Sequence, residues 1–90
     1  MLIEKNIEVI NKLGLHARAA AKLVKLCAGY DSEITLHNGR KSIDAKSIMG
    51  VLMLAAAQGA ELKLVVDGAD ASEAADCISK MFVNCFDEGE

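Results

Sequence analysis

A histidine and an arginine, His16 and Arg18, stand two residues apart at the start of an alanine-rich segment. Apolar residues at helical spacing begin immediately after His16, so both side chains are predicted to lie where a helix starts. A helix N-terminus carries unpaired backbone N–H groups and a partial positive charge, and it therefore attracts anions. His16 is then either an inert surface residue or a nucleophile beside an anion site.

The nucleophilic interpretation of His16 leads to phosphoryl transfer. An unprotonated imidazole nitrogen can attack phosphorus, and the positive end of a helix disfavours the imidazolium and keeps the ring nucleophilic. Arg18 adds a permanent positive charge that can engage phosphoryl oxygens through two N–H groups. The sequence has no glycine-rich nucleotide loop, which predicts that the phosphoryl group comes from another protein.

The composition predicts one domain over residues 1–90, with 52% hydrophobic residues for a core. A net charge of −3 and only 3% aromatic residues argue against nucleic acid as the partner. An odd number of cysteines without a C-x-x-C pattern indicates reduced thiols, with no metal and no cofactor. The longest uncharged run, residues 47–60, is too short to cross a bilayer. We therefore expect a cytoplasmic monomer without membrane insertion.

The elements that position His16 follow from the spacing of apolar residues. Alternation over residues 2–10 predicts a half-buried strand before His16, and the first helix is predicted to end at Gly29. His37, beside a predicted turn, is expected to be a solvent-facing strand residue.

A hairpin is predicted around Asn38-Gly39, because this dipeptide favours a two-residue turn with positive φ. That register sets Ile34 opposite Ile43 and gives the hairpin an apolar face.

The second half of the chain continues with a helix opening near Ser47 and a strand after Gln58-Gly59. A last helix starts at Asp70 and Glu73, which are spaced like a capping box. The element order is strand, helix, strand, strand, helix, strand, helix. It predicts an α+β open sandwich with an antiparallel sheet, although ferredoxin-like folds have a similar order and the topology stays open.

The chain resembles the HPr family, the histidine-containing phosphocarriers of the phosphoenolpyruvate-dependent phosphotransferase system, over nearly its whole length. The resemblance rests on KLGLHARAAAKLV at residues 12–24, on SEITLHNGRKSIDAKSIMG at residues 32–50, and on the strand after QGAEL. It implies an open-faced β-sandwich in which a four-stranded antiparallel sheet is covered on one side by three helices.

The resemblance also implies roles for the residues of the GLHAR motif. In the family, enzyme I phosphorylates the histidine on Nδ1, and the histidine passes the group to a IIA protein, which carries these roles onto His16 and Arg18. The family usually has proline at the position of Ala19. Alanine makes the helix start slightly softer and keeps one more N–H group that can bind phosphate.

Ser47 is the second site that the resemblance implies. Serine is a good helix N-cap, and that alone accounts for its presence. In many bacteria the serine of KSIMG is also phosphorylated by an ATP-dependent HPr kinase/phosphorylase.

A partner-binding surface is expected where the start of the first helix meets the second helix. Enzyme I and IIA proteins bind this surface in the family, and Met49 and Leu52 are expected to be its exposed apolar members. The predicted partner contacts are Ala19, Lys22, Ile48, Met49 and Leu52.

Two alternatives to a sugar-branch carrier stay open, and the composition argues against a third. NKLGLHAR and the acidic end FVNCFDEGE also resemble NPr, the carrier of the nitrogen branch. In a regulatory binding module acting through Ser47, His16 is vestigial. A small ferredoxin-like domain that binds a ligand or RNA requires a basic or aromatic sheet face, which the composition does not offer.

Overall fold

The computed structural model describes residues 1–87, in which four strands form one antiparallel sheet in the order β1-β4-β2-β3. Three helices cover one face of this sheet, which confirms the predicted open-faced β-sandwich and supplies the sheet order that the sequence left open. Within the described residues, no helix is long and apolar enough to span a membrane. The elements are β1 (Leu2–Glu8), α1 (Ala17–Ala28), β2 (Glu33–Asn38), β3 (Lys41–Asp44), α2 (Ile48–Leu54), β4 (Glu61–Asp67), α3 (Ala71–Val83) and a 3-10 turn (Cys85–Asp87).

The core lies between the sheet and the helices, and it is built from strand residues at a period of two. In β4, Leu62, Leu64 and Val66 are buried while the alternate residues face the open side of the sheet. β1 pairs with β4 along its whole length, from Leu2 opposite Asp67 to the last pair of the ladder. This pairing brings the beginning of the chain beside its last strand.

The β2–β3 hairpin turns one residue later than predicted. Asn38 pairs with Lys41, so the two turn residues are Gly39 and Arg40. Gly39 has a φ of 62°, and Arg40 is not among the described residues with positive φ. A two-residue turn with positive φ at its first position only favours glycine there, which Gly39 supplies, and Asn38 stays in the strand.

The predicted pairing of Ile34 with Ile43 is therefore wrong, and Leu36 lies opposite Ile43 instead. The pairing is displaced by two residues, which leaves every side chain on its predicted face. Ile34 and Leu36 are both buried, so the apolar face of the hairpin forms as expected.

The hydrogen bonds at the start of α3 differ from those of the predicted capping box. Asp70 is the N-cap residue, but its side chain makes no capping hydrogen bond. Its carboxylate accepts instead from the backbone N–H groups of Asp31, at 2.9 Å, and Ser32, at 3.0 Å, and from the Ser32 hydroxyl. The capping box with Glu73 is therefore wrong, because a distant loop supplies better donors to this carboxylate.

Stability should depend on pH through Asp70. The Ser32 hydroxyl, followed by the Asp31 N–H, lowers the pKa of Asp70 below its ordinary value of 3.8. At pH values between the folded and the unfolded pKa of Asp70, the unfolded chain binds more protons than the folded protein does. The stabilisation by Asp70 is therefore complete above about pH 4 and is lost as the pH falls through the folded pKa. Urea midpoints of wild type and Asp70→Asn should differ most near neutral pH and converge in acid.

Ser32→Ala removes the largest cause of the lowered pKa, and it should reproduce part of the same pH-dependent loss. A difference between wild type and Asp70→Asn that stayed constant down to about pH 2 would contradict the linkage.

Candidate functional site

His16 is the N-cap residue of α1. Its backbone is extended, with φ −74° and ψ 178°, and its carbonyl accepts the first helical hydrogen bond from Ala20 N–H at 2.8 Å. Helix geometry leaves the N–H groups of Ala17, Arg18 and Ala19 without intrahelical acceptors. The partly exposed imidazole, which makes no capping hydrogen bond, therefore lies at a helix end that presents three backbone donors.

Arg18 is the second residue of α1, and its side chain is exposed. The structure thus brings His16 and Arg18 to the same helix terminus. Ala19 is fully buried, so its methyl group lies in the core and only its backbone N–H belongs to the helix terminus. Lys22 is half-buried and donates from Nζ to the carbonyl of Phe86 at 2.6 Å, which ties α1 to the end of the described chain.

Ser47 is the N-cap residue of α2, as predicted. Its hydroxyl oxygen accepts a hydrogen bond from Gly50 N–H at 3.1 Å, and the residue is exposed. The side chain therefore caps the helix and is accessible from solvent at the same time.

The two helices run in opposite directions. Lys46, just before α2, donates from Nζ to the carbonyl of Tyr30, just after α1, at 2.6 Å. At the other end, Leu15 N–H donates to the carbonyl of Ala56 at 2.9 Å. Ser47 therefore lies at the end of α2 that is remote from the loop before His16, and the seven residues of α2 separate the two ends of this helix by roughly 10 Å. The structure does not bring these two sites together.

Exposed apolar side chains occupy the surface of α2. Met49 is 64% exposed and Leu52 is 37% exposed, which agrees with the residues expected to be accessible. Ile48 is 38% exposed, and Met53, which was not among the predicted contacts, is 67% exposed. We call these four residues of α2 the apolar patch. Only Val51 and Leu54 of this helix are buried, so Met53 belongs to the same excess of apolar residues over one buried stripe as Ile48, Met49 and Leu52.

Leu13 is a further exposed apolar residue that sequence reasoning missed. It lies in the loop before His16 and is 63% exposed. An apolar side chain between Lys12 and a glycine, outside any periodic segment, was the available signal.

The segment after α2 begins with a backbone conformation that is energetically unfavourable for alanine. Ala55, the C-cap residue, is left-handed, with φ 52° and ψ 39°. Because a glycine has no Cβ to clash in this region, Ala55→Gly should raise the free energy of unfolding by about 0.5–1 kcal/mol. Urea denaturation measures the change. Ala21→Gly, in the exposed middle of α1, should cost about 1 kcal/mol, so equal effects at both positions would contradict the strain at Ala55.

Comparison with known proteins places these features in a family. Residues 3–84 match the family model described as the phosphorylation site of the HPr component of the phosphotransferase system. Phosphocarrier protein HPr of Cupriavidus necator is 45% identical over 89 residues, which cover 99% of this chain and 100% of the relative. Phosphocarrier protein NPr of Shewanella violacea is 43% identical over 86 residues, covering 96% of this chain and 94% of the relative.

A solved structure agrees with these relatives. HPr-C-His from Thermoanaerobacter tengcongensis is 38% identical and matches with a TM-score of 0.92, covering 96% of this chain and 97% of that one. On the sequence match, the sheet order and the helix that begins at the histidine, this chain belongs to the HPr family of phosphocarrier proteins of the phosphotransferase system.

Proposed function

We propose that this chain accepts a phosphoryl group on His16 from phosphorylated enzyme I and passes it to IIA proteins. The observation that carries the proposal is the position of His16 as the N-cap of α1, the helix end where the backbone N–H groups of the first turn lack intrahelical acceptors. The family membership supports the same role.

The proposed step is an in-line displacement at phosphorus. The unprotonated nitrogen of His16, Nδ1 by the family resemblance, forms a bond to phosphorus while the bond to the donor breaks and its electron pair leaves with the donor. The N–H groups at the helix end and the Arg18 guanidinium bind the equatorial oxygens, where negative charge is concentrated. Ala19 contributes a backbone N–H to this end that proline lacks. Transfer to a IIA protein is the same displacement with the acceptor as nucleophile.

The apolar patch is the proposed docking surface for both partners. Its flexible methionines suit a surface that must fit several proteins. The end of α2 lies beside the loop before His16, which supports the proposal that a partner docked on this patch reaches the imidazole. Arg18 and Lys22 lie on α1, and the side chain of Ala19 is not part of the surface because it is buried.

Ser47 is the proposed regulatory site, phosphorylated by HPr kinase/phosphorylase at the expense of ATP. The exposure of its hydroxyl supports this role. A phosphate there adds a charge of about −2 at one end of the apolar patch, so it opposes docking without touching the imidazole at the other end. The alternative is a regulatory binding module that acts through Ser47 alone, with His16 inactive.

The branch of the phosphotransferase system is open to two proposals. Sugar transport is favoured by KSIMG, whereas the similarity to an NPr supports the nitrogen branch. In either branch we infer a monomer working in the cytoplasm. The free state of Cys27, Cys77 and Cys85 agrees with a reducing compartment.

Mass spectrometry of the purified chain after incubation with enzyme I, magnesium and phosphoenolpyruvate tests the carrier function. One acid-labile phosphate is expected, because phosphoramidates hydrolyse in acid. A parallel incubation with HPr kinase and ATP should instead give one acid-stable phosphate. An unlabelled chain beside a competent enzyme I and a labelled reference HPr would contradict the carrier function, and labelling by the kinase alone would favour the regulatory module.

A further inference from the structure

Two hydrogen bonds between Asn11 and Gly14 close a turn in the loop before His16. The side chain of Asn11 is fully buried, and its Nδ2 donates to the carbonyl of Gly14 at 2.7 Å. The main chain closes the same turn, because Gly14 N–H donates to the carbonyl of Asn11 at 3.2 Å. Side chain and backbone of one residue thus fix a turn that ends two residues before the imidazole.

The same loop is pressed against the segment that follows α2. Gly14 has a φ of 64°, and a Cβ at this position would lie 2.5 Å from the carbonyl oxygen of Ala56. Leu15, only 5% exposed, donates from its N–H to that same carbonyl at 2.9 Å. The turn therefore cannot shift toward Ala56, and Leu15 is held at the Ala56 carbonyl by its hydrogen bond.

Further hydrogen bonds extend this contact along the chain. Val9 N–H donates to the carbonyl of Ala60 at 2.9 Å, and Gly59 N–H donates to the carbonyl of Val9 at 2.7 Å. Gln58 donates from Nε2 to the carbonyl of Ile10 at 3.1 Å. We call the joined segments, residues 9–15 and 55–60, the clasp.

Asn11 is not the residue that would give this position the greatest stability. Its Oδ1 is buried without a hydrogen-bond partner among the described residues, and an unsatisfied buried acceptor is costly. An apolar side chain of similar volume would avoid that cost, but it could not donate to Gly14. Asn11 therefore fixes the conformation of the loop. That conformation sets the direction in which Leu15 and His16 leave the loop.

We propose that Asn11 is a positioning residue for phosphoryl transfer, acting through the clasp to fix the orientation of the His16 imidazole. The inference rests on the proposed carrier function. Without the bond from Asn11, the carbonyl of Gly14 loses its donor and the turn gains conformational freedom just before the N-cap. Misplacement of a nucleophile by about 1 Å can cost on the order of 100-fold in rate, so a loosened loop slows transfer even when the protein is fully folded.

Asn11→Leu tests the proposal, because leucine fills the same space and also removes the unpaired amide oxygen. We expect the kcat of His16 phosphorylation by enzyme I to fall at least about 10-fold, with KM little changed because the apolar patch is intact. The melting temperature should stay close to that of wild type. Ser79→Ala removes a second buried side-chain oxygen that lacks a partner among residues 1–87, this one in α3, and should keep kcat within about twofold.

Hydrogen exchange of the Leu15 amide reports on the clasp without any enzyme. We expect it to accelerate at least about 10-fold in Asn11→Leu and to stay unchanged in Ser79→Ala. A kcat within about twofold of wild type, or an unchanged Leu15 exchange rate, overturns the proposal.

Two further outcomes keep the test decisive. If wild type accepts no phosphate from enzyme I, the proposed function fails, and the Leu15 exchange rate alone then supports or overturns the clasp. If Asn11→Leu does not fold, exchange in wild type decides: a Leu15 amide protected as strongly as that of buried Leu64 supports the clasp, and one that exchanges like an open loop overturns it.

Discussion

Replacing His16 with alanine is expected to abolish phosphorylation by enzyme I and phosphoenolpyruvate. The variant lacks the only nitrogen nucleophile that the sequence places at the N-terminus of α1, so no atom remains there to form the bond to phosphorus. Label should therefore fall below detection in the mass spectrum. Circular dichroism of the variant shows whether the fold survives the change.

His37 provides the matched control within the same chain. It lies partly exposed on β2, opposite Lys63 and on the open face of the sheet, as the sequence predicted for a solvent-facing strand residue. His37→Ala should accept phosphate as wild type does. Acid-labile phosphate on His16→Ala would show that another residue is the acceptor and would remove the basis of the proposed mechanism.

Phe86→Ala should cause the largest loss of stability among these variants, about 3–5 kcal/mol. Phe86 is completely buried and packs edge-to-face on Phe82, with ring centroids 4.9 Å apart and an interplanar angle of 63°. Its backbone is left-handed, with a φ of 56°, directly after Cys85 with a φ of 53°. Two neighbouring residues in this region are held there by the packing of the ring and by the bond from Lys22 to the Phe86 carbonyl.

Domains of this size have about 5–15 kcal/mol of stability in total, so the loss at Phe86 should lower the urea midpoint by a large fraction. Val83→Ala is the control from the same end of the chain. Val83 is 70% exposed, and its truncation should change stability by no more than about 0.5 kcal/mol. Similar midpoints for both variants would show that the Phe82–Phe86 contact contributes little.

The start of α1 at His16 and the N-cap of α2 could be predicted from sequence because both depend on local features. His16 and Ser47 each stand where an apolar helical stripe begins, and the chemistry of a helix terminus needs only the few residues around it. The alternation in β4 and the end of α1 at Gly29 were predictable for the same reason.

The predictions failed where distant residues or competing local choices decided the outcome. Asp70 was expected to cap its own helix, but its partners lie on a loop 38 and 39 residues earlier, which no local pattern shows. At the hairpin, Asn38 and Gly39 fit two turns equally well, and only the strand pairing distinguishes them. Phe86 is in phase with the helical stripe of α3, four residues after Phe82, but the helix ends at Val83. Its burial therefore depends on a left-handed turn that the sequence does not signal.

The pairing of β1 with β4 has a consequence for how the molecule is made. His16 is synthesised well before residue 60, which the clasp needs, and the partner strand of β1 is complete only when residue 67 has been synthesised. At typical elongation rates of about 5–20 residues per second, β1 waits for several seconds as an unpaired strand. Contacts that join the two ends of a chain also slow spontaneous folding, because the closing loop is long. The clasp therefore cannot fix the N-terminal end of α1 until residue 60 has been made, although His16 itself is synthesised well before.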